Sequence, residues 1–180
     1  MPKQSDNKTL SGAVAKAKEL RFSVAQRRPC LAELDCINHV ISGAINTWRL
    51  PERVLRISVP LYQYSENDLL HMNFFIAETG DSKIVGLAAL EGVEEKECRG
   101  DLRTLLLHGL YVHPAYHCRG VGSMLMESVE VFAHSNGVDG LLVRAQIDAQ
   151  PFFENQDFVR MPVENESRDY PYRYWKSISR

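Results

Sequence analysis

Apolar and polar residues recur along this chain with two different periods, and the points where the period changes mark out its elements. The first 20 residues, MPKQSDNKTLSGAVAKAKEL, are polar and lysine-rich with little to bury, which predicts a mobile tail or a loosely held helix. Arg21–Gln26 alternates as a short strand does. After Pro29, the residues Leu31, Leu34, Ile37, Ile41, Ile45 and Trp48 recur at spacings of three and four, which makes one apolar helical face. Pro51 is placed to open a second short helix, PERVLR, and Pro60 to end it. Residues 73–91 are two apolar runs around the turn-forming cluster TGDSK and predict a hairpin, followed by the acidic loop GVEEKECRGD. Leu105–Val112, LLLHGLYV, is nearly continuous in apolar residues and predicts a strand at the centre of a sheet.

The helical period returns after Gly122, with Leu125, Val129 and Phe132 on one face, and stops at the cap Asn136–Gly137. Leu141–Ala145 reads as a strand, Pro151–Gln156 as a short helix, and Phe158–Met161 as a strand. The polar bridge VENESRD then leads to a last aromatic strand, YPYRYWKSI. Strand, two helices, three strands, helix, strand, helix and two strands make an α+β domain, a mixed sheet flanked by helices. No internal repeat or low-complexity tract interrupts it.

Composition narrows the partners. At 180 residues, 44% of them apolar, the chain suits one domain with a proper core. A net charge of -2 and a pI of about 6.3 provide no global positive field for nucleic acid or an anionic membrane. Cys30, Cys36, Cys98 and Cys118 form no CxxC or CxxH pair, which predicts reduced thiols, no metal site and a soluble, cytoplasmic protein. No apolar run reaches the roughly 18 residues of a spanning helix.

The densest chemistry lies in HPAYHCRGVGSMLMESVEVFAHSNG, His113–Gly137, where a polar run with two glycines passes straight into a helix. Glycines at a helix mouth let an anion approach the backbone N–H groups at the positive end of the helix. A nucleoside triphosphate loop would need a lysine after its last glycine, but Ser123 and Met124 follow Gly122. A dinucleotide fingerprint would need a third glycine where Leu125 stands. LYVHPAYHCRGVGSML instead resembles the coenzyme A motif of the GCN5-related N-acetyltransferases (GNAT), of bacterial type: a central strand, a short turn, and a loop of the form Gln/Arg-x-x-Gly-x-Gly/Ala opening a helix. AQPFFENQDF, Ala149–Phe158, is similar to that family's AxxFYEKLGF helix, and the element order matches from about residue 21 to the end.

The resemblance implies a single GNAT domain over residues 21–180, with a mostly antiparallel sheet splayed at its central strands. It implies acetyl-coenzyme A as cosubstrate, with the pyrophosphate held by the loop His117, Cys118, Arg119, Gly120, Val121, Gly122 and Ser123. The pantetheine and thioester would lie against the backbone of Leu110, Tyr111 and Val112. His108 becomes the leading candidate base, expected on the strand face of Leu106, Leu110 and Val112, with Glu91 as second choice; an ordinary buried histidine and a strand-end carboxylate are the alternatives. The partners implied are acetyl-coenzyme A and an amine-bearing small molecule or protein, with a homodimer compatible.

The chain departs from the pattern twice. His117 replaces glutamine or arginine at the first loop position; a neutral imidazole has one N–H to give a phosphate. Phe153 stands where many relatives carry a tyrosine as general acid, leaving Tyr116, Tyr172, Tyr174 or water to protonate the thiolate. Cys118, in the pyrophosphate loop, reads as a loop thiol and not as a nucleophile. Two functions therefore stay open: an N-acetyltransferase using direct attack on the thioester, and a coenzyme A sensor that kept the loop and lost catalysis; a nucleotide-binding protein is a third. On the acceptor side, Glu91, Glu94, Glu95 and Glu97 favour a cationic amine, Arg49, Arg53 and Arg56 an acidic substrate, and Tyr170, Tyr172, Tyr174 and Trp175 either line a pocket or pack on the sheet.

Overall fold

A computed structural model describes residues 21–93, 100–167 and 169–178. The expected N-terminal tail, and Glu94, Glu95, Glu97 and Cys98, lie outside the described residues. The elements run β1 (Phe22–Gln26), α1 (Leu34–Ile45), α2 (Glu52–Tyr62), α3 (Glu66–His71), β2 (Asn73–Thr79), β3 (Ile84–Gly92), β4 (Thr104–Val112), α4 (Val121–Ser135), β5 (Gly140–Arg144), α5 (Gln150–Glu154), β6 (Val159–Arg160) and β7 (Arg173–Ser177). The strands form one seven-stranded sheet in the order β1-β2-β3-β4-β5-β7-β6. Every neighbouring pair is antiparallel except β4 with β5, which α4 connects as a crossover.

Each sheet face has its own core. On one, Val121, Leu125, Met126 and Val129 of α4 pack on Phe75, Leu107 and Leu141. On the other, Ile37, Ile41 and Ile45 of α1 pack on Phe74, Ile76 and Leu87. The apolar spacing of α1 thus places a real helix, but its ends differ from the pattern: Leu31 is 59% exposed in a 3-10 turn before it, and Trp48 lies beyond its end. Pro60 does not end α2 but sits within it, two residues before its close and on the exposed side. So near the C-terminus the missing N–H removes one hydrogen bond, and the ring projects into solvent.

The chain also contains a helix the periodicity did not mark. α3 is short and begins in a capping box: Ser65 Oγ accepts from the Asp68 N–H, and the Asp68 carboxylate accepts from the Ser65 N–H at 2.7 Å. The terminal strand is shorter than the aromatic run YPYRYWKSI, since pairing with β5 covers only Arg173–Ser177. Tyr174 and Trp175 are core residues there, while Tyr170 is 40% exposed outside it.

Arg27 ties three elements together. Its guanidinium donates to Glu33 at 2.6 and 2.8 Å and to Glu78 at 2.6 Å, joining the end of β1 to the entry of α1 and to β2. These bonds hold the Glu33 carboxyl down to about 2, against the opposing effect of its burial. A carboxylate depressed on folding stabilises the fold above its ordinary value of 4.5, and the contribution disappears as pH falls towards about 2. Urea titrations across that window should show stability falling with pH, and Glu33→Gln should make the fall shallower by about one linked proton; an unchanged slope would refute the assignment. A second expectation concerns Gly140, whose absent side chain leaves room for the Trp175 indole. Gly140→Ala should cost about 1–3 kcal/mol in urea unfolding and shift the Trp175 fluorescence.

Candidate functional site

The site begins where two parallel strands part. β4 and β5 pair from Thr104↔Gly140 to Leu107↔Val143 and no further, although β4 runs on to Val112. On its other side β4 carries a bulge: Ala89 faces Gly109 and Leu90 faces Leu107, so His108 has no opposite number. An inserted residue bends its strand and sharpens the local twist, and here it does so at the last residue paired with β5. Beyond it lies a cleft of about 560 Å³, floored by His108–Val112 and walled by the α4 entry and Phe152 and Phe153 of α5.

The bulge also corrects an expectation about His108. Simple alternation put its side chain on the face of Leu106, Leu110 and Val112, but Leu110 and Val112 pack with α4 whereas His108 turns to the α1 face, against Tyr64. The inserted residue breaks the period of two, so side chains after the bulge no longer share a face with those two residues before it. Leu106 keeps its place on His108's side.

At the far end of the cleft the glycine loop meets α4. Cys118 and Gly120 have φ of +55° and +81°, and Gly120 is the N-cap of α4, with no side chain capping it. The amides of the first helical turn therefore lack intrahelical acceptors and open on the cleft at Gly122 and Ser123. The two glycines serve different needs. Gly120 has the left-handed backbone that glycine favours, whereas a Cβ on Gly122 would lie 3.1 Å from the Phe152 ring, so a glycine lets α5 close on the helix entry without that ring giving way.

His117 is already engaged: its Nε2 lies 2.8 Å from the Val112 carbonyl. A carbonyl only accepts, so that nitrogen carries the proton, and a neutral ring has no second N–H for a phosphate. The imidazole thus fastens the loop to the end of β4, and the expectation that it has an N–H to spare fails. The Arg119 guanidinium and the Lys83 ammonium each lie 5.8 Å from the Tyr116 ring centroid. The exposed Cys118 thiol opens on the cleft beside this loop.

At the inner end, the Tyr64 hydroxyl lies 3.2 Å from His108 Nδ1, and Glu91 Oε1 lies 3.9 Å from His108 Nε2. His108 lines the cleft, and the Glu91 carboxylate, one-third exposed, stands beside this imidazole without lining it. Leu110, Tyr111 and Val112 line it too, Tyr111 with a phenol that burial pushes well above its ordinary range. Phe153 faces the cleft with no protic group, and the tyrosines named as substitutes are elsewhere. Tyr116 sits at the loop end, Tyr172 packs against the α4 core, and the Tyr174 hydroxyl is spent on Gln150 and Glu154 at 2.9 and 3.1 Å.

The open side of the cleft is bridged by the Arg49 N–H, which donates to Asp148 at 3.0 Å and joins the segment after α1 to the one before α5. Trp48, read from the sequence as part of an apolar helical face, and Asp148, which no sequence pattern had singled out, line the cleft there. Arg53 and Arg56 are exposed on α2. Tyr64 was also missed; the only hint was a lone aromatic in the polar linker QYSEND. No metal-ligating cluster occurs among the described residues, and none of their helices is long and apolar enough to cross a membrane.

Residues 71–160 match the acetyltransferase (GNAT) domain. Solved structures share the fold at low identity. A PaiA N-acetyltransferase from Thermoplasma acidophilum, in complex with coenzyme A, is 15% identical with a TM-score of 0.68, over 86% of this chain and 99% of its own. A GNAT family acetyltransferase from Brucella melitensis, in complex with acetyl-CoA, is 15% identical with a TM-score of 0.61, over 89% and 90%. A GCN5-related N-acetyltransferase from Rhodopseudomonas palustris is 19% identical with a TM-score of 0.64, over 86% and 94%. No curated protein sequence gives a significant match.

Gly122→Glu should push Phe152 aside and set a carboxylate at the helix entry. Thermal shift with added coenzyme A should then show no stabilisation, while the wild type gains several degrees at saturating ligand. Equal stabilisation of both proteins would place the ligand elsewhere.

Proposed function

The chain belongs to the GNAT acetyltransferase family, and from that premise we propose that it is an acetyl-coenzyme A dependent N-acetyltransferase acting on a primary amine by direct attack on the thioester. One observation carries the reading: β4 and β5 part at Leu107 and Val143, and the resulting slot runs from an uncapped helix entry to an imidazole paired with a carboxylate. The coenzyme A and acetyl-CoA complexes of the Thermoplasma and Brucella proteins support the same donor.

In this reading the first-turn amides of α4, with those of the loop from Cys118 to Gly120, receive the pyrophosphate from the positive end of the helix, while the His117 N–H stays on the Pro114 carbonyl. The β4 backbone edge left open by β5, at Leu110 and the Val112 N–H, receives the pantetheine and holds the thioester carbonyl; Tyr111 turns its backbone to Leu87 of β3 and contributes its place in the cleft floor, and the Val112 carbonyl is occupied by His117. His108 and Glu91 form the path by which the acceptor ammonium loses the proton that frees its lone pair for attack. With Phe153 apolar, the leaving thiolate takes its proton from water. Attack by the neutral amine, loss of a second proton from its nitrogen and expulsion of the thiolate, which takes up one proton, give the amide and free coenzyme A, without an enzyme-bound acetyl group. The unpaired thiols Cys30, Cys36 and Cys118 fit a reducing compartment such as the cytoplasm.

Phe153 favours a second reading, a sensor that binds coenzyme A without turnover. An acceptor screen with acetyl-coenzyme A that follows thiol release separates the two. The enzyme should release thiol with at least one amine, and His108→Ala should lower kcat about 10²-fold or more while leaving cofactor affinity unchanged. Tight binding with no thiol release from any acceptor would favour the sensor.

A further inference from the structure

The contact between Tyr64 and His108 has consequences for which group takes the proton. Tyr64 follows α2 and is clamped to α1 at both backbone groups: its N–H donates to Asn38 Oδ1 and its carbonyl accepts from Asn38 Nδ2, each at 2.9 Å. Its ring stands edge-on to Phe74 with centroids 5.1 Å apart, and the residue is only 4% exposed. The hydroxyl is thereby delivered to the bulge of β4. Gly109 admits it, for a Cβ there would lie 2.7 Å from the Tyr64 oxygen.

A buried O–H must find an acceptor, and among the described residues the Tyr64 hydroxyl has one hydrogen-bond partner, His108 Nδ1. Burial, with Tyr111, Glu91 and Asp68 nearby, keeps this phenol well above its ordinary range, so it remains an O–H donor. If Nδ1 carried the proton instead, two faults would arise together. The phenol hydrogen would be left buried and unpaired, and the Nε2 lone pair would face the Glu91 carboxylate at 3.9 Å.

We propose that Tyr64 is a positioning residue: its hydroxyl donates to Nδ1 of His108 and fixes the neutral imidazole as the Nε2–H tautomer directed at Glu91, so that the proton of the attacking amine passes by way of water to the part-exposed Glu91 carboxylate rather than to the imidazole. The proposal rests on the reading of His108 and Glu91 as the proton path, and it divides the labour between them. Both ring nitrogens are spoken for. Nδ1, the only lone pair of the neutral ring, is covered by a phenol that does not line the cleft. Nε2 and the Glu91 carboxylate, 3.9 Å apart, stand just beyond hydrogen-bond distance, and a small approach of the two side chains when substrate fills the site makes the Nε2–H bond. His108 then orients the carboxylate as a donor.

Long-range 1H–15N correlation spectra of histidine-labelled protein, at a pH where the imidazoles are neutral, read the tautomer directly; the His108 signals are identified by their loss in His108→Ala. The wild type should show His108 protonated at Nε2 and bare at Nδ1. Tyr64→Phe, which keeps the ring and removes only the donor, should move the tautomer ratio about fivefold or more towards Nδ1–H. A wild-type Nδ1–H tautomer, or a ratio unmoved in Tyr64→Phe, would overturn the proposal, and the wild-type spectrum decides even if the variant does not fold. These spectra need no acceptor, so they stand apart from any failure to find turnover. Where an acceptor is known, Tyr64→Phe should lower kcat about tenfold with the KM for acetyl-coenzyme A unchanged. Glu91→Gln should cost at least as much as His108→Ala; a near-normal Glu91→Gln enzyme would return the base role to the imidazole.

Discussion

Everything distinctive in this molecule depends on one residue too many in β4. The bulge at His108 interrupts pairing with β3 at the position where pairing with β5 also ends, so a central strand leaves its parallel neighbour in the middle of the sheet. A sheet interior with unpaired backbone is costly, because buried N–H and C=O groups need partners. In the proposed function the pantetheine, with amides of its own, supplies them. The same bulge turns His108 towards Tyr64 and Glu91 while Leu110 and Val112 stay on the α4 side, so one inserted residue both opens the slot and separates its polar lining from its apolar support.

The elements around the slot hold it open from both faces of the sheet. α1, through Asn38, fixes the segment that carries Tyr64; α4 brings its uncapped amides to the other end; α5 closes over Gly122 with Phe152. His117 links loop and strand through the Val112 carbonyl, making the end of β4 and the helix entry a single unit. This arrangement places rigid secondary structure, and not loop flexibility, behind the shape of the slot.

Much of the fold was legible because its periods are strong and local. Ile37, Ile41 and Ile45 mark α1 by spacing alone, and TGDSK between two apolar runs marks the β2–β3 hairpin. The glycine loop was legible for a similar reason, since a helix entry that admits an anion needs small residues at fixed offsets. α3 escaped because its evidence was a cap, Ser65 with Asp68, and not a period. The length of β7 escaped because an aromatic residue such as Tyr170 has the same strand propensity whether or not a neighbour is there to pair with it.

The site divides along the same line. The amino-acid sequence by itself determined the family's loop, the strand that precedes it and the absence of a hydroxyl at Phe153, because each is a matter of which residue stands at a given offset from its neighbours. Only the tertiary structure decided that His108 turns to the α1 face, that His117 spends its N–H on Val112, and that Tyr64, separated from His108 by 44 positions, supplies the imidazole's partner. A bulge has no residue signature of its own and shifts every later side chain by one. Hydrogen bonds between distant segments likewise depend on how sheet and helices close around them.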